Sequence, residues 1–124
     1  MKFPATNMAS WLRFLLVVWL AVGSSLGFAR QEASDWIAVA QLPAEGRQTL
    51  ALIKQGGPFP YPRDGVVFGN FEKRLPQRFR GYYHEYTVRT PGSRNRGARR
   101  IIAGRSGEYF YTDDHYQTFL RIRE

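Results

Sequence analysis

The stretch from Gly81 to Arg123, GYYHEYTVRTPGSRNRGARRIIAGRSGEYFYTDDHYQTFLRIR, decides the fold of this chain. It contains four short runs rich in aromatic and β-branched residues, separated by turn residues such as Gly, Pro, Ser and Asp. Runs of this length and spacing predict neighbouring strands of one antiparallel sheet. The four predicted strands are Tyr82–Arg89, Arg99–Ala103, Glu108–Thr112 and Thr118–Arg123.

The segment before this region predicts one short helix, from Pro43 to Gln55. Proline suits the first helical position, Glu45 lies in the first turn, Lys54 lies in the last turn, and Gly56 follows the helix. The fold class is therefore α+β, with one short N-terminal helix packed on a small twisted antiparallel β-sheet. The helix residues that we expect to face the core are Thr49, Leu50 and Ile53.

Two further segments contain short apolar runs. Val66–Phe68 follows a loop rich in proline and glycine, and it predicts one buried strand edge. Near the start of the domain, the apolar residues of Trp36–Val39 could begin a strand or simply pack the chain end onto the core.

Residues 1–29 have the pattern of an export signal. Two basic residues flank a short start region before the apolar run Phe14–Val22, and small residues lead up to Ala29. The run is too short to span a bilayer. We therefore expect a secreted, extracellular protein with a signal peptide of residues 1–29 and one domain of residues 30–124. Cleavage at Ala33 and an uncleaved signal anchor are the alternatives.

The composition favours a polyanionic partner and chemistry without a metal. The chain has 18 basic and 10 acidic residues and a net charge of +8, and about +6 remains after removal of Lys2 and Arg13 with the signal peptide. It has no cysteine, which excludes thiol catalysis and thiolate metal sites. Its two histidines, His84 and His115, lack metal-ligand spacing, so we expect neither a metal nor a cofactor.

Residue types that can cleave RNA follow one another within the predicted sheet. Glu85 can accept the proton of a ribose 2′-hydroxyl, and His115 can donate a proton to the leaving 5′-oxygen. The arginines of RGARRIIAG, residues 96–104, can stabilise the negative charge on phosphorus. Because DNA lacks the attacking hydroxyl, this set of residues predicts a ribonuclease.

Strand alternation separates the residues around Glu85 into two faces. Glu85 and His84 point to opposite faces, so the two side chains cannot serve one site. We expect the mostly apolar face of His84 to meet the core, His84 to be a half-buried structural residue, and Glu85 to lie on the open face. Arg99 and Arg100 also alternate, so only one of them can point at Glu85, and alternation does not choose between them. The apolar residues expected beside His84 are Tyr82, Tyr86 and Val88.

Two functions of other classes fit parts of the pattern. A non-catalytic nucleic-acid-binding module would explain the charge and the aromatic residues interleaved with arginines. A cationic membrane-active domain would need an amphipathic basic helix, whereas the arginines lie in predicted strands and turns. Glu85 and His115 favour the enzyme, because a carboxylate on a basic face repels phosphate and gives a simple binder no advantage.

The chain contains, in this order, the motifs GPFPYPRDGVVF, LPQRFRGYYHEYTVRTPGSRNRGARRII and EYFYTDDHYQTFLRI. These motifs resemble the secreted bacterial guanyl-specific ribonucleases related to barnase, and the resemblance covers about residues 42–123. It implies the microbial ribonuclease fold and cleavage of single-stranded RNA 3′ of guanosine, first to a 2′,3′-cyclic phosphate and then to a 3′-phosphate. It also implies RNA as partner, a monomer without membrane association in its mature form, and a small acidic barstar-like inhibitor protein.

By this resemblance, Glu85 is the general base and His115 is the general acid. The two phosphate-binding arginines of the family fall on Arg96 and Arg100, and the hydroxyl of Tyr116 contacts phosphate. Of the two adjacent arginines that alternation left open, the resemblance therefore implies the second.

The resemblance also implies that the loop from Phe68 to Glu72 recognises guanine. Phe68 stacks on the base, and Glu72 accepts hydrogen bonds from N1 and the exocyclic amine. The backbone amides that face the guanine O6 are those of Gly69, Asn70 and Phe71.

Relatives commonly carry arginine at the position of Phe71, so this chain loses a cation there and gains an aromatic surface. Some relatives also close the domain with a disulfide, worth ~2 to 4 kcal/mol, that this chain cannot form.

Overall fold

The computed structural model of the chain describes residues 35–124. The expected signal peptide and both candidate cleavage positions lie outside these residues. Among the residues described, no helix is long and apolar enough to cross a membrane. The elements in chain order are β1 (Trp36–Ala38), a 3-10 helix (Val39–Gln41), α1 (Ala44–Gln55), β2 (Val66–Val67), β3 (Tyr83–Thr87), β4 (Arg100–Gly104), β5 (Tyr109–Thr112) and β6 (Leu120–Arg123).

The six strands form one mixed sheet in the order β1-β6-β5-β4-β3-β2. Neighbouring strands are antiparallel except β1 and β6, which run parallel with Trp36 opposite Arg121. The prediction of a purely antiparallel sheet was therefore wrong at one edge. A parallel pair needs a long connection between its two strands, and β1 and β6 are joined by all the other elements of the domain. The α+β class is confirmed, and the four predicted strands are correct to within two residues at each end.

The helix α1 packs on one face of the sheet as predicted. It ends at Gly56, whose φ of 85° lies in the left-handed region that glycine adopts without strain. Thr49 and Leu50 are buried, and Ile53 packs against the same core. The Thr49 hydroxyl donates a hydrogen bond of 3.0 Å to the carbonyl of Thr87, which ties the helix to β3.

The sheet carries a core on each face. The helix-side core consists of Leu42, Leu50, Val88, Ile101, Tyr111 and Ile122. The site-side core consists of Leu75, Tyr82, Tyr83, Ile102 and Phe110, with Phe68, Tyr116 and Phe119 packed against it. The side chains of adjacent residues in β4 therefore support different faces, and the second core forms the floor of the site described below.

The site-side core overturns the expectation that Glu85 lies on an open face. Glu85 is only 6% exposed, and Ile102 lies opposite it in β4. Tyr82 belongs to this core and not to the face of His84, because it precedes β3 and strand alternation does not govern it. His84 is half-buried, as predicted. Aromatic side chains from other segments cover this face, which alternation within one strand cannot reveal.

Truncation of Ile101 tests the helix-side core. Ile101→Ala is expected to lower the free energy of unfolding by about 2–5 kcal/mol, because this fully buried side chain would leave a cavity. The control is Val67→Ala in the edge strand β2, where the side chain is 41% exposed and the expected loss is under about 1 kcal/mol. Urea unfolding measures both values. An Ile101→Ala variant as stable as Val67→Ala would contradict this core.

Candidate active site

Glu85 lies at the centre of a cluster formed by a tyrosine and two arginines. The Tyr116 hydroxyl donates a hydrogen bond of 2.8 Å to Oε1 of Glu85 and accepts one of 3.1 Å from Nε of Arg100. Nη1 of Arg96 and Nε of Arg100 lie 3.8 Å and 4.0 Å from the same carboxylate oxygen. One hydroxyl and two guanidinium groups therefore surround a single oxygen of Glu85.

Arg100 is held rigidly in this cluster. Its side chain is 2% exposed, and its Nη1 donates hydrogen bonds to the carbonyls of Gly97 at 2.9 Å and Arg99 at 2.8 Å. The side chain of Arg99 points to the helix face, where Nη1 lies 3.9 Å from the carboxylate of Glu45. Of the two adjacent arginines, Arg100 is therefore the one that reaches Glu85.

Tyr116 joins the carboxylate cluster to the loop that precedes β3. Burial raises the pKa of Tyr116, and the hydrogen bond to Glu85 raises it further. The hydroxyl therefore keeps its proton at neutral pH and remains a donor. The ring of Tyr116 stacks on Phe68 at 5.2 Å between centroids, and Phe68 meets Phe119 edge-on at 5.9 Å.

His115 and Tyr116 occupy a strained turn between β5 and β6. Their φ angles are 58° and 71°, in the left-handed region that residues other than glycine rarely adopt. The His115 amide donates to the carbonyl of Ala98 at 3.0 Å, and the Tyr116 amide donates to Oγ1 of Thr112 at 3.2 Å. These backbone contacts fix the direction of two side chains that the sequence predicts to act on phosphate.

Arg96 lies beside the carboxylate cluster and lines the same hollow as His115. The exposed His115 lines a shallow hollow together with residues 95–98, which include Arg96. Nη1 of Arg96 donates to Oγ1 of Thr87 at 3.0 Å and lies near Glu85 as described above. Arg96 therefore lies near Glu85 and in the same hollow as His115, whereas Glu85 does not line that hollow.

An open cleft of about 300 Å³, here called the first cleft, joins the cluster to the predicted guanine loop. Glu85, Tyr116 and all five loop residues from Phe68 to Glu72 line it. The structure therefore brings Glu85 and Tyr116 to the same cleft as the predicted base-binding loop, whereas His115 and Arg96 line the separate hollow. Within residues 35–124, no group of three or more histidine, aspartate or glutamate side chains could hold a metal ion.

The loop from Phe68 to Glu72 is closed by Asn70. The side chain of Asn70 accepts a hydrogen bond from the amide of Leu75 at 3.1 Å and donates one to its carbonyl at 2.9 Å. Within residues 35–124, no hydrogen bond is donated by the backbone amides of Gly69, Asn70 or Phe71. Three neighbouring donors are therefore available at the wall of the cleft.

Glu72 is oriented by an ion pair that sequence reasoning missed. Nη2 and Nε of Arg74 bond to Oε2 of Glu72 at 2.7 Å and 3.0 Å. Both bonds use one oxygen, so Oε1 remains available to a ligand. Arg74 follows Glu72 by two residues, and this short spacing of opposite charges was the signal in the sequence that could have indicated the pair.

Asp114 organises the turn of His115 and was also missed. Its carboxylate accepts hydrogen bonds from the Thr118 hydroxyl at 2.6 Å, the Thr118 amide at 2.9 Å and the Thr112 hydroxyl at 2.8 Å. These bonds, above all those from Thr118, lower the pKa of Asp114 to about 2. The signal in the sequence was an aspartate directly before His115, since short acidic side chains often bond to nearby amides in turns.

Residues 28–123 match the family model described as ribonuclease. This chain belongs to the ribonuclease family. It is 57% identical over 85 residues to the guanyl-specific ribonuclease St of Saccharopolyspora erythraea, covering 68% of this chain and 84% of that protein. It is 55% identical over 92 residues to the guanyl-specific ribonuclease Sa of Kitasatospora aureofaciens, covering 73% of this chain and 96% of that protein.

Solved structures of ribonuclease Sa2 have the same fold as this ribonuclease. A structure of Sa2 complexes with mononucleotides superposes with a TM-score of 0.70 and 52% identity, covering 71% of this chain and 92% of that chain. A crystal structure of Sa2 with guanosine-2'-cyclophosphate gives a TM-score of 0.68 and 52% identity, covering 70% and 92%. The family and the microbial ribonuclease fold expected from the motifs are confirmed.

Replacement of Asp114 tests the turn that carries His115. The pKa of Asp114 falls from 3.8 to about 2 on folding, so its carboxylate stabilises the fold fully above about pH 4, and this stabilisation is lost as the pH falls through about 2. Asp114→Asn should therefore lower the melting temperature at pH 7, and the difference from the parent should shrink towards pH 2.

Thermal unfolding between pH 7 and pH 2 measures this difference. The control is Asp113→Asn, which changes the exposed neighbouring aspartate and should leave the melting temperature nearly unchanged. A deficit of Asp114→Asn that stayed constant down to pH 2 would contradict the assigned role of its charge.

Proposed function

We propose that this ribonuclease cleaves single-stranded RNA 3′ of guanosine by metal-independent transesterification. The observation that carries the proposal is the buried carboxylate of Glu85, which lines the first cleft together with Tyr116 and has Arg96 and Arg100 at 3.8 Å and 4.0 Å. The product of the first step is a 2′,3′-cyclic phosphate, and its hydrolysis leaves a 3′-phosphate.

Glu85 is the general base of the proposed first step. Its carboxylate accepts the proton of the 2′-hydroxyl, whose oxygen then attacks the adjacent phosphorus. At 3.8 Å and 4.0 Å, the contacts of Arg96 and Arg100 with Glu85 are longer than hydrogen bonds, so both guanidinium groups keep donors for phosphate. As Glu85 loses its charge by taking the proton, the charge on phosphorus grows. The two arginines therefore stabilise the transition state more than the ground state.

His115 is the proposed general acid. Its exposed side chain lines the hollow shared with Arg96, so a phosphate held by Arg96 lies within its neighbourhood. It donates a proton to the departing 5′-oxygen, and in the hydrolysis step His115 and Glu85 exchange roles. The Tyr116 hydroxyl, whose proton is donated to Glu85 in the structure, contacts the phosphate by turning that proton towards it.

The loop from Phe68 to Glu72 is the proposed guanine site. Guanine presents an acceptor, O6, beside two donors, N1 and the exocyclic amine. The available amides of residues 69–71 match the acceptor, and Oε1 of Glu72 matches the donors. Phe68 offers the base a stacking surface. The names of ribonucleases St and Sa as guanyl-specific, and the complex of Sa2 with guanosine-2'-cyclophosphate, support this assignment.

We also propose that residues 1–29 are a signal peptide, that residues 30–124 form the secreted single domain, and that this domain is a monomer. The sequence pattern supports export, and the family match beginning at residue 28 agrees with a domain that starts near residue 30. The net positive charge and the arginines of the cleft also suit a small acidic inhibitor protein that covers the site. The N-terminus of protein recovered from culture medium and its mass in solution check these proposals.

Replacement of the proposed base and acid tests the mechanism. Glu85→Gln and His115→Ala are each expected to lower the kcat for the dinucleotide GpC by roughly 10²- to 10⁴-fold, the range for positioned acid and base groups. The matched control is His84→Ala, which removes the half-buried histidine on the opposite face of β3 and should leave the kcat nearly unchanged.

The activity of the parent enzyme should persist in the presence of a chelator. It should also pass through a maximum as the pH is varied, because the proposed base must be ionised while the proposed acid must be protonated. Equal losses in His84→Ala and His115→Ala would contradict the assigned acid. Activity removed by a chelator and restored by magnesium would contradict the metal-independent mechanism.

Replacement of Glu72 tests guanine recognition separately. The parent should cleave GpC in preference to ApC and UpC, and Glu72→Gln should reduce this preference by about 10- to 100-fold, since a charged acceptor contributes about 1.5–3 kcal/mol. Glu124→Gln is the control, because Glu124 is also exposed and ion-paired, with Lys54, but does not line the cleft. Steady-state kcat/KM for the three dinucleotides gives the result. Equal loss on all three would show that Glu72 does not read the base.

A further inference from the structure

A second cleft of about 300 Å³ shares the residues from Phe68 to Phe71 with the first. The first cleft continues to Glu85 and Tyr116, whereas the second continues along the segment that precedes β3. The other residues of the second cleft are Lys73, Gln77, Arg78, Phe79, Arg80 and Tyr83. The guanine loop therefore forms part of both clefts, and the proposed function uses only the first.

The second cleft has a different charge from the first. Its charged lining residues are Lys73, Arg78 and Arg80, all of them cations. The first cleft also contains the carboxylates of Glu72 and Glu85. A surface with this charge attracts phosphate groups and offers them no acid–base chemistry.

Two aromatic rings in the second cleft lie largely in water. The exposed fraction is 81% for Phe71 and 59% for Phe79. The Arg80 guanidinium lies 5.8 Å from the centre of the Phe71 ring, and that of Arg105 lies 5.7 Å from the centre of the Phe79 ring. Exposed rings interleaved with guanidinium groups form the kind of surface on which unpaired bases stack.

Packing against the core does not account for the positions of these two exposed rings. Phe79 meets Tyr82 edge-on at 5.5 Å between centroids, yet most of its ring gains no free energy from burial. Phe71 lies over the backbone of Gly69, where an added Cβ would stand 2.5 Å from the ring. The absence of a side chain at Gly69 thus permits the aromatic surface between the two clefts.

We propose that the second cleft binds another nucleotide of the same RNA strand. Its base stacks on Phe79, and its phosphate contacts Arg78 and Arg80. This inference rests on the proposed function and extends it, because cleavage of a dinucleotide requires the first cleft alone. Longer substrates should therefore be cleaved with a higher kcat/KM than dinucleotides.

The test compares three substrates with the double variant Phe79→Ala/Arg80→Ala. The substrates are GpC, the 5′-extended AAAGC and the 3′-extended GCAAA, so that the direction of the strand is also determined. The variant should lose about tenfold or more in kcat/KM on one extended substrate, as expected for a lost stacking contact, and stay within about twofold of the parent on GpC. If the double variant does not fold, Arg80→Ala alone is measured in the same way.

The matched control is Trp36→Ala/Arg123→Ala. The guanidinium of Arg123 lies 4.9 Å from the centre of the Trp36 ring, and this pair lies in β1 and β6 at the sheet edge opposite β2. The control removes the same charge and an aromatic ring. It should not lower kcat/KM selectively on any of the three substrates. Unchanged length dependence in Phe79→Ala/Arg80→Ala, or an equal loss in the control, would overturn the second cleft as a nucleotide site.

Binding of a DNA strand separates this proposal from the proposed function. The deoxyoligonucleotide d(AAAGCAAA) lacks the attacking 2′-hydroxyl, so its Kd can be measured by fluorescence anisotropy without cleavage. Phe79→Ala/Arg80→Ala should raise this Kd about tenfold relative to the control variant. Failure of the parent to cleave GpC would refute the proposed function, while the Kd would still test the cleft. An unchanged Kd would overturn the further inference.

Discussion

The burial of Arg100 beside Glu85 is the interaction on which the whole site depends. A guanidinium group removed from water costs several kcal/mol unless partners replace its hydration. Arg100 has such partners in two backbone carbonyls, the hydroxyl of Tyr116 and the nearby carboxylate of Glu85. Because these groups also hold each other, the cation is already in place when phosphate arrives, and little reorganisation is needed.

These partners come from separate parts of the chain, and a strained turn completes the set. Glu85 lies in β3, Arg100 lies in β4, and Tyr116 follows β5. Tyr116 reaches the other two from a backbone whose φ angles at residues 115 and 116 are positive. Thr112 and Asp114 stabilise that backbone through hydrogen bonds, so residues without direct contact to RNA determine the position of those proposed to act on it.

Packing on both faces gives the sheet two different tasks. The helix-side core holds α1 against the sheet, whereas the site-side core supports Glu85 and the ring of Tyr116 from below. Aromatic side chains extend from this core towards solvent, where Phe68 stacks on Tyr116 and the exposed Phe79 meets Tyr82 edge-on. Aromatic residues thus both fill the site-side core and line the two clefts at its surface.

The sequence by itself determined the elements and the chemical identities of the site. Turn residues and short β-branched runs gave the strands from β3 to β6, and the end signals of α1 gave the helix, because these features depend on local backbone preferences. A glutamate that can act as base, a histidine that can act as acid and arginines that can stabilise the charge on phosphorus together indicated RNA cleavage.

Only the tertiary structure decided the rest. The parallel pairing of β1 with β6 and the burial of Glu85 arise from contacts between segments far apart in sequence. Strand alternation could separate Arg99 from Arg100 but could not show which face Tyr116 would cover. These properties depend on which side chains meet across the fold, and a local pattern contains no information about that.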